Sequence, residues 1–393
     1  MLPVRFFRSI PQPAQDRRTD LFKPEESVIS MYKIMTPGPT QVPLNVRSAR
    51  SLECTNPDID ESFVEYYKET CELISSLLHT NNETLILSGE GILGLEAACA
   101  TLTEQGDRVL VLDNGIYGKG FADFVSMYGG DPILYHSDYR NPIDPDALKA
   151  FLEADHDFKY ATVVHCDTPS GMLNDIGRLC PILKQYGILT VVDSVSAMFG
   201  EEVRVDDYRI DILCGGSQKA VSAPPGLTFV TISEDAKRAF HARRTPVASF
   251  YCNLTTFDHY YENKWFPYTM PISDIYGLRA AFDNIASDPD MLDRHRRLGE
   301  RTRQAVLDMG LSLYPESGFS NTVTAVQIPD GMDCNRILDK MRREHNIMIT
   351  GSFGPFAGKL LRIGHMGANA NEPDVDETLQ ALRQVILELG SDT

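Results

Sequence analysis

The chain reads as an α/β protein, with a large domain on a seven-stranded, mainly parallel sheet followed by a smaller C-terminal α+β domain. Three observations predict this. From about residue 80, short apolar runs alternate with helical patterns, the signature of βαβ units. After about residue 275 the alternation gives way to a long helical stretch and a mixed set of shorter elements. The residues able to carry chemistry (Glu90, Asn114, Thr168, Asp193 and Lys219) all follow strand-like runs, where an open α/β sheet binds its ligands.

The strand-like runs cover residues 84–87, 108–112, 133–136, 161–165, 189–192, 212–214 and 227–232. Helical patterns fall between or after them at 94–102, 121–128, 145–153, 179–186 and 234–242. Residues 276–309 read as one long helical stretch. Beyond it, strands are expected near 311–314, 322–327, 347–349 and 360–363, with helices near 334–344 and 376–389. The expected domains are 31–275, large and carrying an N-terminal arm, and 276–393, small. The first thirty residues carry Arg5, Arg8, Arg17 and Arg18 with Pro3, Pro11 and Pro13, and show no periodicity. Asp16, Asp20, Glu25 and Glu26 count against an organelle-targeting peptide, which is poor in acids. The segment is expected to be a disordered tail, or an over-extended start before Met31.

Composition excludes several function classes. With 393 residues, 42% hydrophobic and 23% charged, the chain has the make-up of an ordinary globular protein with a large core. A net charge of −18 and a pI near 4.9 argue against nucleic acid or an anionic membrane as the main partner. No apolar run approaches the roughly 20 residues a membrane span needs. Eight cysteines are scattered without a CxxC pair, which suggests buried thiols in a reducing, cytoplasmic setting and neither a metal site nor a disulfide framework.

Two residues carry the chemical argument. Lys219 lies in Gly215-Gly216-Ser217-Gln218-Lys219, directly after a strand-like run, and Asp193 ends the apolar run Thr190-Val191-Val192-Asp193. A lysine amine condenses with the aldehyde of a pyridoxal ring, and a carboxylate keeps the pyridine nitrogen protonated so that the ring can take up electrons. A solvent-facing lysine is the plainer reading of Lys219 alone. Asp193 is harder to dismiss, because an acid ending a buried strand needs a partner. A competing motif is Gly89-Glu90-Gly91-Ile92-Leu93-Gly94, a GxGxxG after a strand-like run, with Asp113 nineteen residues on from Gly94. It keeps a nicotinamide-dependent oxidoreductase as the remote alternative, although that reading leaves Asp193 and Lys219 without a task. The glycines leave a helix N-terminus open to an anion, yet Glu90 puts a negative charge inside the cup, unless its side chain only complements the helix dipole or faces solvent.

From Thr36-Pro37-Gly38-Pro39-Thr40 through GGSQK to Arg362-Ile363-Gly364-His365-Met366-Gly367, the chain resembles the class V, fold-type I pyridoxal-phosphate-dependent aminotransferases. The order and spacing of these motifs carry the resemblance. It implies a Schiff-base role for Lys219, which also shuttles the proton, and a pyridinium partner in Asp193. It further implies an aromatic cover in Tyr117, a hydrogen bond to the ring's phenolic oxygen from Thr168, a substrate-carboxylate clamp in Arg362 and a substrate-facing backbone at Gly38. Glu90, Gly91, Ile92, Ser217 and Gln218 would complete the cofactor site, with Phe266 and Thr269 reaching it from a partner subunit in a homodimer or homotetramer. The substrates implied are a small amino donor and a small 2-keto acid, pyruvate or glyoxylate.

Departures from the family pattern select a branch. Glu90 stands where phosphate-binding members carry a small or hydroxyl residue, and Phe266-Pro267-Tyr268-Thr269 replaces a phosphate-reaching phenol by a phenyl. Both weaken a phosphate site. Together with residues 94–98 (GLEAA), 116–121 (IYGKGF), 167–171 (DTPSG) and 223–228 (APPGLT), they are similar to the pyridoxamine–pyruvate branch, which uses unphosphorylated pyridoxal and pyridoxamine as substrates. Phe353, where that branch has a second arginine, and the surrounding 352–359 segment look instead like the ureidoglycine–glyoxylate branch. The alternative is therefore a phosphate-cofactor alanine/serine or ureidoglycine–glyoxylate aminotransferase. A cysteine desulfurase is disfavoured because 349–352 has no cysteine, and a pure binding role leaves the lysine, aspartate and arginine unused.

Overall fold

A computed structural model describes residues 32–391; the 1–30 segment expected as a tail lies outside them. The arm contains β1 (Lys33–Ile34), α1 (Leu44–Ala49) and α2 (Glu61–Leu77). Asp60 caps α2 by accepting from the Ser62 N–H, and Phe63, Val64, Tyr67, Cys71 and Ile74 bury one face. The sequence reading places no helix there, although the spacing carries the signal.

Strands and helices then alternate as β2 (Glu83–Ser88), α3 (Gly91–Leu102), β3 (Arg108–Asp113), α4 (Ile116–Met127), β4 (Asp131–His136), α5 (Pro145–Ala154) and β5 (Tyr160–Val164). The small hairpin β6 (Cys166–Asp167) and β7 (Met172–Leu173) precedes α6 (Ile176–Gln185), β8 (Leu189–Asp193), β9 (Ile212–Gly216), β10 (Leu227–Ile232) and α7 (Glu234–His241). All seven strand-like runs join one sheet in the order β2-β10-β9-β8-β5-β3-β4. From β9 to β4 the neighbours run parallel, and β10 is antiparallel to both of its partners. α3 and α4 start earlier than expected, at Gly91 and Ile116, because glycine-rich first turns hide a helix start from propensity.

The single stretch expected over 276–309 is two helices, α8 (Ile272–Ala286) and α9 (Met291–Asp308). Pro289 breaks it, since proline has no N–H to donate and its ring disfavours a helical residue before it. There follow β11 (Ser312–Leu313), β12 (Val323–Gln327), α10 (Cys334–His345), β13 (Ile347–Met348), β14 (Thr350–Gly351), β15 (Leu360–Gly364) and α11 (Glu372–Ser391). β11-β12-β15-β14 form a four-stranded antiparallel sheet, while β13 pairs in parallel with β1. One core lies against the large sheet. A second, including Leu298, Val306, Val326, Ile337, Leu361 and Leu382, lies between the small sheet and its helices. The arm is trapped between the two parts, where Gly364 donates its N–H to Met35 O at 2.8 Å. A side chain at Gly364 would run into the Thr36 backbone. Arg362 and the arm are thereby set over the carboxyl ends of the large sheet's strands.

Candidate active site

β8 and β9 are parallel neighbours, with Asp193 opposite Cys214, so their carboxyl ends deliver Asp193 and the GGSQK turn side by side. The Ser217 hydroxyl closes that turn by donating to Pro224 O at 2.7 Å and accepting from the Leu227 N–H at 3.3 Å. Lys219 then points back over the sheet, and its Nζ donates to Pro37 O at 2.5 Å. Gly38, with φ +92°, lies on the lysine stem, and a Cβ there would sit 2.7 Å from Cε and 2.8 Å from Nζ. Only glycine permits that approach.

Burial sets the electrostatics. It depresses the Lys219 amine to about 8, helped by the positive charge of Arg362. It lifts the Asp193 carboxyl to about 7, against the opposing pull of the Val195 N–H at 2.9 Å and of Lys219. Asp167, also raised by burial, accepts from Ser170 Oγ at 2.7 Å and from the Tyr117 N–H at 3.0 Å, which orients the first turn of α4. Tyr117 is pushed up to about 12 by burial and stays a neutral phenol at physiological pH.

A cavity of about 320 Å³ opens over these groups. Of the residues expected from sequence, Gly38, Glu90, Gly91, Ile92, Tyr117, Thr168, Asp193, Gln218 and Lys219 line it. Ser217 does not line it. Arg362 lies beyond its rim in β15, 8% exposed. Its Nε and Nη2 both donate to Gly351 O (3.0 and 2.7 Å), and Nη1 reaches Thr168 O at 3.4 Å. Counting donors, one N–H remains on each terminal nitrogen, a pair matched to one carboxylate. The Phe353 ring lies 5.6 Å from the guanidinium and edge-on to Tyr117 at 6.2 Å.

Glu90, an exposed residue that also lines the cavity, caps α3: one oxygen accepts from the Ile92 N–H at 3.1 Å and the other from Gln218 Nε2 at 3.2 Å. Phe266 is buried in its own chain against Phe63, Tyr67 and Tyr260, and Thr269 donates to Asp58 Oδ2 at 3.1 Å. Neither reaches the cavity of the chain that carries it. Asn114 is spent on the backbone, donating to Asp138 O and Asn141 O. Asp113, the acid the dinucleotide reading requires, is taken by His136 Nδ1 at 2.8 Å and by the Tyr139 hydroxyl.

The sequence reading missed Ser196, Cys166, Val195, Leu95, Pro39 and Pro225, which complete the lining. Val195 and Ser196 stand two and three residues after Asp193, and that closeness was the available signal. A larger cleft of about 750 Å³ beside α2 and α7 contains none of this chemistry. Its lysines are paired, Lys68 with Glu72 and Lys237 with Glu83.

The cavity fits a pyridoxal ring by three observations. Asp193 is a buried carboxylate whose raised pKa marks a shortage of partners, which a pyridinium N–H would relieve. Ser196 Oγ and Gln218 Oε1 are buried there without a hydrogen-bond partner. Lys219 presents an amine with a depressed pKa beside them.

Comparison with known proteins agrees. The family profile described as aminotransferase class-V matches residues 44–372. An uncharacterized aminotransferase of Methanocaldococcus jannaschii is 34% identical over 91% of this chain and 93% of its own. Pyridoxamine–pyruvate transaminase of Mesorhizobium japonicum is 35% identical over 80% of this chain and 81% of its own. The crystal structure of ureidoglycine–glyoxylate aminotransferase from Bacillus subtilis superposes with a TM-score of 0.88 at 28% identity, covering 95% of each chain.

Proposed function

The chain belongs to the class-V aminotransferase family, which has the fold-type I architecture and depends on pyridoxal phosphate, and on that premise we propose that it transfers an amino group from pyridoxamine to pyruvate. The ring, when bound, supplies an aldehyde for an amine and a π-system that accepts an electron pair. Lys219 supplies the amine, neutral above about pH 8, and then holds and returns the proton at Nζ. Asp193 would pair with the ring nitrogen, Tyr117 and Val195 would wall the ring, and Thr168 would serve its phenolic oxygen. Arg362 holds the substrate carboxylate through its two spare N–H groups. Enclosure of the cavity limits water around the amine.

The observation that carries the unphosphorylated ring is the seat of Glu90. A phosphate at the α3 N-terminus would meet a carboxylate already capping it, whereas a neutral hydroxymethyl group can donate to that carboxylate. The test is the mass of whatever small molecule acid releases from the purified protein, compared with Glu90→Ser. The parent should release no pyridoxal phosphate and turn over free pyridoxamine with pyruvate, and Glu90→Ser should gain at least tenfold in affinity for the phosphate form. Stoichiometric pyridoxal phosphate in the parent would overturn this reading. It would favour the glyoxylate branch, with which the Phe353 wall and its single carboxylate clamp are also compatible.

A homodimer belongs to the same proposal. Ile59, Phe250, Tyr251 and Trp265 are 80%, 56%, 52% and 56% exposed. Their segments are joined by the Thr269–Asp58 hydrogen bond and the Tyr251–Tyr268 stack. An apolar surface of this kind suits a second copy, to whose site Thr269 could extend; the buried Phe266 ring could not. Eight free cysteines, all unpaired, support a reducing compartment such as the cytoplasm.

A further inference from the structure

Lys219 is gripped at both ends by one short segment of the arm. Its Nζ donates to Pro37 O at 2.5 Å, and three residues on, Thr40 binds its peptide. The Thr40 N–H donates to Gln218 O at 3.1 Å and the Thr40 hydroxyl to Lys219 O, also at 3.1 Å. That carbonyl already accepts the Ser222 N–H at 2.9 Å, so Thr40 fills its second lone pair. Ser222 Oγ lies 3.1 Å from Thr40 Oγ1 and accepts from the Ala368 N–H at 2.8 Å.

The protons in this group can be ordered by counting. Thr40 gives its only hydroxyl proton to Lys219 O, so the bond between the hydroxyls must use the Ser222 proton. Ser222 in turn keeps a lone pair for Ala368. The chain therefore runs one way, from the Ala368 N–H through Ser222 and Thr40 to the lysine carbonyl, each donor polarising the next. Thr40 and Ser222 are 3% and 4% exposed, so solvent does not compete for these bonds. The backbone is held in costly shapes to make them. Ser222 sits at φ +58°, and a side chain on Gly367, also at φ +58°, would collide with Ser222 Oγ and Ala220 O.

We propose that Thr40 is a positioning residue for Lys219. The Ala368–Ser222–Thr40 chain fixes the lysine peptide so that the amine meets the Pro37 carbonyl. It also ties the seat of the lysine to the segment that follows β15, the strand carrying Arg362. The inference rests on Lys219 being the catalytic amine.

The test uses the full chain loaded with pyridoxamine, in which Lys219 is a free amine. Limiting acetic anhydride is added, and peptide mass spectrometry compares labelling of Lys219 with that of the exposed Lys149. Thr40→Val should raise relative Lys219 labelling at least about threefold and lower kcat about 10- to 100-fold, with KM for pyruvate within about threefold, the signature of a misplaced group. Thr40→Ser should restore all three. Ser222→Gly, relaxed at that φ, cuts the chain upstream and should shift labelling in the same direction; it carries the test if Thr40→Val does not fold. Parent-like labelling in either variant overturns the inference, as does equal impairment of Thr40→Val and Thr40→Ser. Lys219→Ala separates the two readings. Turnover without Lys219 would remove the premise, whereas a dead Lys219→Ala beside a parent-like Thr40→Val removes only the positioning role.

Discussion

Lys219 and Asp193 share one cavity, and burial pushes their pKa values toward each other, down to about 8 and up to about 7. The lysine must be neutral to attack, so turnover should rise about tenfold per pH unit on the acid side and level off above pH 8. Arg362 is the second cause of the depression after desolvation. In Arg362→Gln the midpoint should therefore move up, toward the ordinary lysine value, while KM for the keto acid rises; a pH profile of kcat/KM checks both. Asp193 gives the opposite linkage. Its folded-state pKa is raised above the unfolded value of 3.8, so the native state binds more protons than the unfolded one between about pH 4 and 7, and stability drains away as pH rises through that window. Asp193→Asn keeps an acceptor for the Val195 N–H and removes the charge. Thermal unfolding of the cofactor-free protein at pH 8 should show it more stable by about 1–3 kcal/mol, with turnover down by orders of magnitude. An unchanged or lower Tm would mean the carboxylate is better solvated than its burial implies. Both residues were legible because an acid and a lysine at strand ends are conspicuous. Ser196 and Cys166 were not, because a small polar residue after a strand looks like any turn residue.

At the scale of elements, legibility followed burial. Most strands of the large sheet were readable because strands buried on both faces are continuous apolar runs, as in β5 and β10, where every residue is buried; the edge strand β4 has no fully buried residue and was readable from its apolar Ile133-Leu134-Tyr135 alone. Helix starts were less readable. α3 begins on Gly91 and is capped by Glu90, a residue not favoured at caps, so neither end of the local code announced it. That atypical cap is itself informative: α3 uses its own carboxylate where a phosphate-binding helix would leave its N–H groups for the ligand. The same logic applies to β15. Arg362 read as out of place in an apolar strand. Its donors turn out to be divided between Gly351 O and Thr168 O, so two further elements, β14 and the turn after β6, set the clamp's direction. The hydrogen bonds of the arm, from Met35 to Thr40, were beyond sequence reasoning, because they join residues about 180 and 330 positions apart and, the Thr40–Ser222 hydroxyl pair aside, each ends on a backbone carbonyl, which every residue type carries.

For the whole molecule, the site is assembled from both sheets and the arm, and the chain also carries exposed apolar side chains at Trp265, Phe250, Tyr251 and Ile59. Ile92, at the cavity wall, is a further exposed apolar side chain, 38% exposed. A chain with net charge −18 repels its own copies at long range, so association must be driven by short-range apolar burial and should strengthen as salt screens the repulsion. Trp265→Glu puts a further negative charge where apolar contact is needed. Light scattering after gel filtration should find the parent as a dimer or larger at micromolar concentration and Trp265→Glu shifted toward the monomer. Because the mutated side chain is exposed, its Tm should change little. If Thr269 completes the site of a second copy, the variant should also lose turnover on dilution, with activity rising more than linearly with enzyme concentration. A parent that is monomeric and fully active at nanomolar concentration would refute the shared site, and leave the cavity of a single chain as the whole of the catalytic machinery.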